Sequence, residues 1–218
     1  MSDSPPVISY RAELGRKALH LGALVIPLGI LLLDGVEAGG WPLSVVVLAP
    51  LAALALGLDV ARARSPGIRA FLHRWFAWLM RPEEMPPLGG PVTFNGATMM
   101  CTSAALCAAL FPAGVAAAAL AMLMVGDGAA AVVGRRIGRH RWPGSPKSIE
   151  GSAAYALTAF GIGLAVVAWP GAGLGLGACA VGAVAGAAVE ALPIPLNDNL
   201  RVPLLTGLAL VGATAIGL

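Results

Sequence analysis

Charge is what this chain has least of. Only 11% of its 218 residues are Asp, Glu, Lys or Arg, against about 25% in an ordinary soluble domain. With 58% hydrophobic residues and a mean hydropathy of +0.83, a water-exposed globule is excluded and an integral membrane protein is what remains. Cysteine is scarce too. Cys101, Cys107 and Cys179 all lie in apolar segments without metal-ligand spacing, so they read as small buried hydrophobes rather than a disulfide or metal framework. There is no Ser/His/Asp pattern, no zinc spacing and no dinucleotide fingerprint, and GSPKS lacks the glycine-lysine order of a P-loop. Internal repeats, low-complexity tracts and a cleavable signal peptide are also absent from the pattern. The basic residues sit beside apolar, lipid-facing segments, which argues against nucleic acid as a partner.

What is present is a single all-α membrane bundle over 1–218. Hydropathy predicts seven spans, at 18–33 (kinked near Pro27), 41–61, 92–111, 115–133, 151–169, 174–191 and 202–218. A flexible leader covers 1–9, and a polar connection covers 62–90. Within that connection 68–80 alternates Phe71, Trp75, Phe76, Trp78 and Leu79 with Arg69, His73 and Arg74, the pattern of a helix lying in the membrane interface. Span six, rich in Gly and Ala, suits close helix packing.

With the N-terminus in the cytoplasm, all 14 Lys and Arg residues fall on one side, so the positive-inside rule sets the orientation. The polar clusters at 13–20, 93–98, 126–150 and 197–199 then share the cytoplasmic ends of the spans. A transporter needs polar groups near mid-bilayer and a path to the far side. This distribution instead describes a one-sided interfacial enzyme in a plasma membrane of the bacterial inner-membrane type, its active site facing the cytoplasm.

The chemistry concentrates in GDGAAAVVGRRIGRHRWPGSPKSIEGS, residues 126–152. Asp127 is an acid inside an apolar span, costing about 3 kcal/mol on insertion scales, so it needs a partner. A hard carboxylate beside a basic loop (134–150) suits Mg²⁺ or another divalent cation bridging to phosphate oxygens, and Gly126 and Gly128 let a ligand approach the backbone. Lys147 precedes the N-terminus of span five, where free N–H groups and the helix dipole favour an anion, with Ser148 and Gly151 beside it. Glu150 reads as a cap of that helix, or as a metal ligand or a partner of Lys147. Asp198 and Asn199 form an Asx-rich turn or complete a metal or nucleotide site. Asn95 is a helix cap or a ligand contact. His20 shares a helical face with Glu13 and Arg16 or Lys17, and opens a span with no other polar neighbour.

The 126–152 run resembles the signature of the polyprenol kinase family, which includes dolichol kinase, phytol kinase and the CTP-dependent diacylglycerol kinase. WPGSPKSIEGS is most similar to dolichol kinase. ELGRKALH is similar to the family's N-terminal Arg-Lys…His element, and NDNLRVPL resembles its late Asp-Asn-Leu…Pro element. The three matches follow the family's order from Glu13 to Pro203. The resemblance implies transfer of the terminal phosphate of a nucleoside triphosphate, typically CTP, to a lipid alcohol such as a polyprenol, phytol or geranylgeraniol, or diacylglycerol. It implies that Asp127, with Asp198 or Glu150, holds Mg²⁺, and that Lys147 with one or more of Arg135, Arg136 and Arg139 neutralises the triphosphate. Either a carboxylate or His20 takes the proton of the lipid hydroxyl. Two other readings are a CDP-lipid synthase-like cytidylyltransferase and a non-enzymatic membrane protein. The identity of the lipid and the oligomeric state stay open.

Overall fold

The computed structural model describes residues 15, 19–77, 80, 84 and 87–218. The leader at 1–9, Glu13, Arg16 and Lys17 of the approach helix, and Trp78, Leu79, Arg81 and Glu83 of the connection lie outside the described residues. Among the described residues there are eight helices of eight residues or more. They are α1 (Val25–Leu32), α2 (Leu43–Arg64), α3 (Pro66–Phe76), α4 (Gly96–Leu110), α5 (Ala113–Ile137), α6 (Ile149–Val167), α7 (Leu176–Ala191) and α8 (Asp198–Ala215). The all-α expectation holds but for a hairpin of two-residue strands, β1 (Glu37–Ala38) and β2 (Trp41–Pro42), which closes the expected turn between α1 and α2.

The centre of the molecule is α5, buried at every position from Gly114 to Met124. A helix that is apolar all round belongs inside, and its alanines let α1, α4, α6, α7 and α8 all pack against it. Glycines set the closest approaches. A Cβ on Gly182 of α7 would meet Leu210 of α8 at 2.5 Å, and one on Gly163 of α6 would meet Met122 at 2.6 Å. The small-residue packing read from span six is therefore present. The α2 helix lies against α4, outside this core.

Three helices, α2, α5 and α6, are long and apolar enough to cross a membrane by length and composition. Leu19–Leu32, Gly96–Leu110 and Leu176–Ala191 are apolar but shorter. At about 1.5 Å per residue, such lengths fall short of a roughly 30 Å hydrocarbon core. The helical run Leu19–Leu32 breaks at 23–24. Pro27, which lacks an N–H and crowds the carbonyl four residues back, accounts for the expected kink.

Helix ends differ from the sequence reading in ways that matter to the site. Helix α5 runs on to Ile137, so Arg135 and Arg136 lie on its last turn rather than in the loop. Cations there complement the dipole at a helix C-terminus. Helix α8 begins at Asp198 instead of 202, because the Asn197 side chain accepts from the Asn199 N–H and caps it. Helix α2 extends to Arg64, carrying Asp59 and Arg62 on its last turns.

Candidate active site

Residues 138–148 form a hairpin-like strap between α5 and α6. Trp142-Pro143-Gly144-Ser145 is a tight turn: Ser145 N–H donates to the Trp142 carbonyl at 3.1 Å, and Gly144 has φ +71°. Proline then glycine in the two central positions is the composition that such a turn requires. Arg141 and Ser148 pair across the strap, and the Trp142 indole donates to Ser152 Oγ at 2.9 Å. Ser148 then caps α6, accepting from the Gly151 N–H at 3.1 Å. A Cβ on Gly134 or on Gly151 would stand 2.9 Å from that Ser148 Oγ, so glycine is what lets the end of α5 meet the start of α6.

The strap delivers Lys147 to the ends of α7 and α8. Its Nζ bonds Glu190 Oε1 and stands 3.4 Å from Asp198 Oδ2. Glu190 is 2% exposed and is the only charged residue of α7. Asp198 in turn accepts from Arg201 through Oδ1, at 2.9 Å from Nε and 2.6 Å from the terminal nitrogen, and Arg201 also donates to the Leu192 carbonyl. Asp127, half-buried on α5, adds its charge to the same group. Burial opposes the charge on Lys147, but Glu190, Asp198 and Asp127 more than offset this and raise its pKa above the usual lysine value. The ammonium therefore stays charged through neutral pH.

Beside this cluster is a cavity of about 400 Å³ lined by Lys147, Glu190, Arg135, Arg141, the Gly134, Gly138 and Gly151 backbone, and Ser148 and Ser152. That volume lies in the range of small-ligand sites. Cations, a helix N-terminus and glycine-rich walls together suit a phosphate-bearing ligand.

A second polar group fastens this end of the bundle. Asp59 and Arg62, both buried, pair at 2.9 Å, and Asn95 donates to Asp59 through its backbone N–H and its amide. Arg62 also donates to the Glu84 and Thr93 carbonyls, Glu84 accepts from Gly96 N–H, and Asn199 donates to the Gly96 carbonyl at 2.9 Å. Because Asn199 adjoins Asp198, this latch and the Lys147 cluster share one end of the molecule.

Of the residues singled out in the sequence, Asp127, Lys147 and Asp198 come together, with Ser148, Gly151 and Arg135 on the cavity wall. Glu150 does not join them. It accepts from the His140 backbone N–H and pairs with His140 Nδ1 at 2.7 Å, bracing the strap. Arg136 and Arg139 are exposed and off the cavity wall. Asn95 caps α4 and holds Asp59, and Asn199 holds Gly96, so both serve the latch. His20 lies half-buried ahead of α1. Sequence reasoning did not count Glu190, Arg141 or Arg201 among the site residues. Glu190 carried the same signal as Asp127, an acid within an apolar segment.

Among the described residues, no three His, Cys, Asp or Glu side chains converge as a metal-ligating group. Mg²⁺, however, is typically held by one or two carboxylates together with substrate phosphates and water. Asp127 and Asp198, both acting on Lys147 beside the cavity, fit that requirement.

No protein-family model matches the chain. It is similar to an uncharacterized protein of Rickettsia prowazekii (strain Madrid E), 28% identical over 194 residues, which cover 88% of this chain and 90% of that protein. It is also similar to the probable phytol kinase 2, chloroplastic, of Oryza sativa subsp. japonica, 32% identical over 217 residues. That match covers 89% of this chain and 64% of the rice protein, so the chain spans a little under two thirds of the plant enzyme's length. No solved structure matches.

Proposed function

We propose that this protein is a membrane-embedded lipid-alcohol kinase that moves the terminal phosphate of a nucleoside triphosphate, CTP, to an isoprenoid or other lipid alcohol. The observation that carries the reading is the convergence of Lys147, Glu190, Asp198, Arg201 and Asp127 beside a cation-lined cavity at the head of α6. The likeness to a probable phytol kinase supports the reaction class.

Phosphoryl transfer depends on positioning and charge stabilisation more than on covalent help from the protein. Lys147, Arg135 and Arg141 neutralise the triphosphate, while the N–H groups at the start of α6 orient it. Asp127 and Asp198 would hold a divalent ion, which would screen the charge on the transferring phosphate. The acceptor lies among the helices with its hydroxyl at the polar end, where one of the clustered carboxylates takes its proton as the new O–P bond forms. We place that end at the cytoplasmic leaflet, with the N-terminus cytoplasmic and seven segments spanning the membrane.

The test is to incubate purified protein with CTP labelled on its terminal phosphate, or with ATP so labelled, and a panel of phytol, geranylgeraniol, a long polyprenol and diacylglycerol. The expected product is one lipid monophosphate with release of CDP. A CDP-lipid with pyrophosphate would replace this reading by nucleotidyl transfer, and no nucleotide consumption with any acceptor would overturn it.

A further inference from the structure

Helix α3 is the one helix of the bundle none of whose described residues is buried. Phe71 and Trp75 are each 58% exposed and Phe76 is 45% exposed. An 11-residue helix is marginal in water without a surface to lie on. Among the α-helices, α2 is the neighbour it packs against. Along the chain the charge has one sign: from Val60 to Ala77 it carries Arg62, Arg64, Arg69, Arg74 and His73 and no Asp or Glu. Arg62 is committed to Asp59, but Arg64 and Arg74 are exposed. On the exposed face Gly67, Ala70, Phe71, Arg74 and Trp75 follow one another at helical spacing, with the Arg74 guanidinium 6.0 Å from the Trp75 ring centre. An arginine set among aromatic rings matches the headgroup layer, where rings sit at the acyl boundary and the cation meets phosphate. On the flank, the His73 Nε2 is buried with no hydrogen-bond partner among the described residues. Burial, and then Arg69 and Arg62, push the His73 pKa down.

From this arrangement we infer that α3 is a docking surface for anionic phospholipid of the leaflet that the cavity faces, the aromatic rings seating the helix and the exposed Arg64 and Arg74 selecting negative headgroups. A neutral lipid surface would satisfy the rings alone. The run of arginines without an acid is what distinguishes the two. Docking is also placed to reach the cavity end. Helix α3 follows directly on Arg62, whose hydrogen bonds lead through Glu84 and Gly96 to Asn199, next to Asp198.

The test needs no nucleotide, so it stands or falls apart from the kinase reading. A variant retaining Trp75 as its only tryptophan, with Trp41, Trp78, Trp142 and Trp169 changed to Phe, is reconstituted in phosphatidylcholine nanodiscs. These are doped with shallow spin-labelled phosphatidylglycerol or, at the same mole fraction, shallow spin-labelled phosphatidylcholine. Trp75 fluorescence should be quenched several-fold more by the anionic label. Arg74→Gln should lower that preference about fivefold, the worth of one basic residue near an anionic surface. Raising salt from about 50 to 500 mM should erase it without any substitution, since exposed charges are screened within a few ångströms there. Equal quenching by both labels, or a preference indifferent to salt and to Arg74→Gln, overturns the proposal. So does a Trp75 shielded from both labels in a protein that runs as a dimer, which would make α3 a contact between copies.

Discussion

Asp127 and Glu190 are acids in apolar helices; Glu190 bonds the ammonium of Lys147, and Asp127 adds its charge to that same ammonium. Their roles differ by exposure. Glu190 is 2% exposed and committed to Lys147, whereas Asp127 is half-buried on the helix that forms the cavity wall. Asp127→Asn keeps the side chain's size and removes its charge. The variant should fold and insert normally, yet lose nearly all turnover, read as CDP release; full turnover would refute the metal role. Lys147→Ala should have two effects. Nucleotide affinity should fall about 10- to 100-fold, the worth of a charge-assisted hydrogen bond, with acceptor KM unchanged. The protein should also lose about 3 kcal/mol of stability, because a buried carboxylate is left without its partner. Lys147→Met with Glu190→Gln should recover the stability and not the affinity, which separates packing from binding. The pH dependence has a definite sign. The folded-state pKa of Lys147 is raised, so the stability it contributes is fully present below the unfolded lysine value of about 10.4 and is lost as pH rises through the higher folded value. Between pH 6 and 9, stability and nucleotide affinity should show no titration from Lys147.

At the level of elements, the site depends on how closely the end of α5 meets the strap and the start of α6. A Cβ on Gly138 would lie 2.3 Å from the Gly134 carbonyl oxygen and 2.6 Å from Ser148 Oγ, and both neighbours are held by the local fold. At Gly128, next to Asp127 in the chain, a Cβ meets nothing within 4 Å. Gly138→Ala should therefore destabilise the protein by about 1–3 kcal/mol through overpacking and shift Lys147, raising the nucleotide KM. Gly128→Ala should leave the melting temperature unchanged or raise it, as glycine inside a helix costs about 0.5–1 kcal/mol relative to alanine. If its activity nevertheless falls while nucleotide affinity holds, the open space at Gly128 belongs to the acceptor. Equal melting temperatures for the two variants would contradict the close approach at Gly138. The elements also show what was legible. The kink at Pro27 depends on neighbours a few residues apart, and the chain displays it directly, whereas the cap of α6, read at Glu150, falls to Ser148. Glu150 in the first turn of α6 suits a cap, a metal ligand or a partner of Lys147 equally well from the chain alone. The fold of the strap, which brings His140 back over it, shows the partner it takes here.

At the scale of the whole molecule, hydropathy identified the apolar helices but not which would be long. Helices α4 and α7 have 15 and 16 residues, too few to reach across a bilayer unaided, and they end where polar groups gather: Asn95 at the head of α4 and Glu190 in the last turn of α7. Convergence of residues as distant as 127, 147, 190 and 198 was legible only as a shared membrane side, because spacing along the chain cannot order helices around an axis. That shared side is itself open to experiment. The strap at 138–148 and the turn after α6 lie at opposite ends of a 19-residue helix long and apolar enough to span. A cysteine replacing Ser145 on the strap, in a background with Cys101, Cys107 and Cys179 changed to alanine, should react with an impermeant maleimide only in inside-out vesicles. One replacing Gly171 should react only in right-side-out vesicles. Reversed labelling would put the cation-lined cavity on the outer face, away from cytoplasmic nucleotide, and the kinase reading would fail with it. Labelling of both positions from one side would mean that α6 does not cross, and that the site is built on a bundle lying at the surface rather than through the membrane.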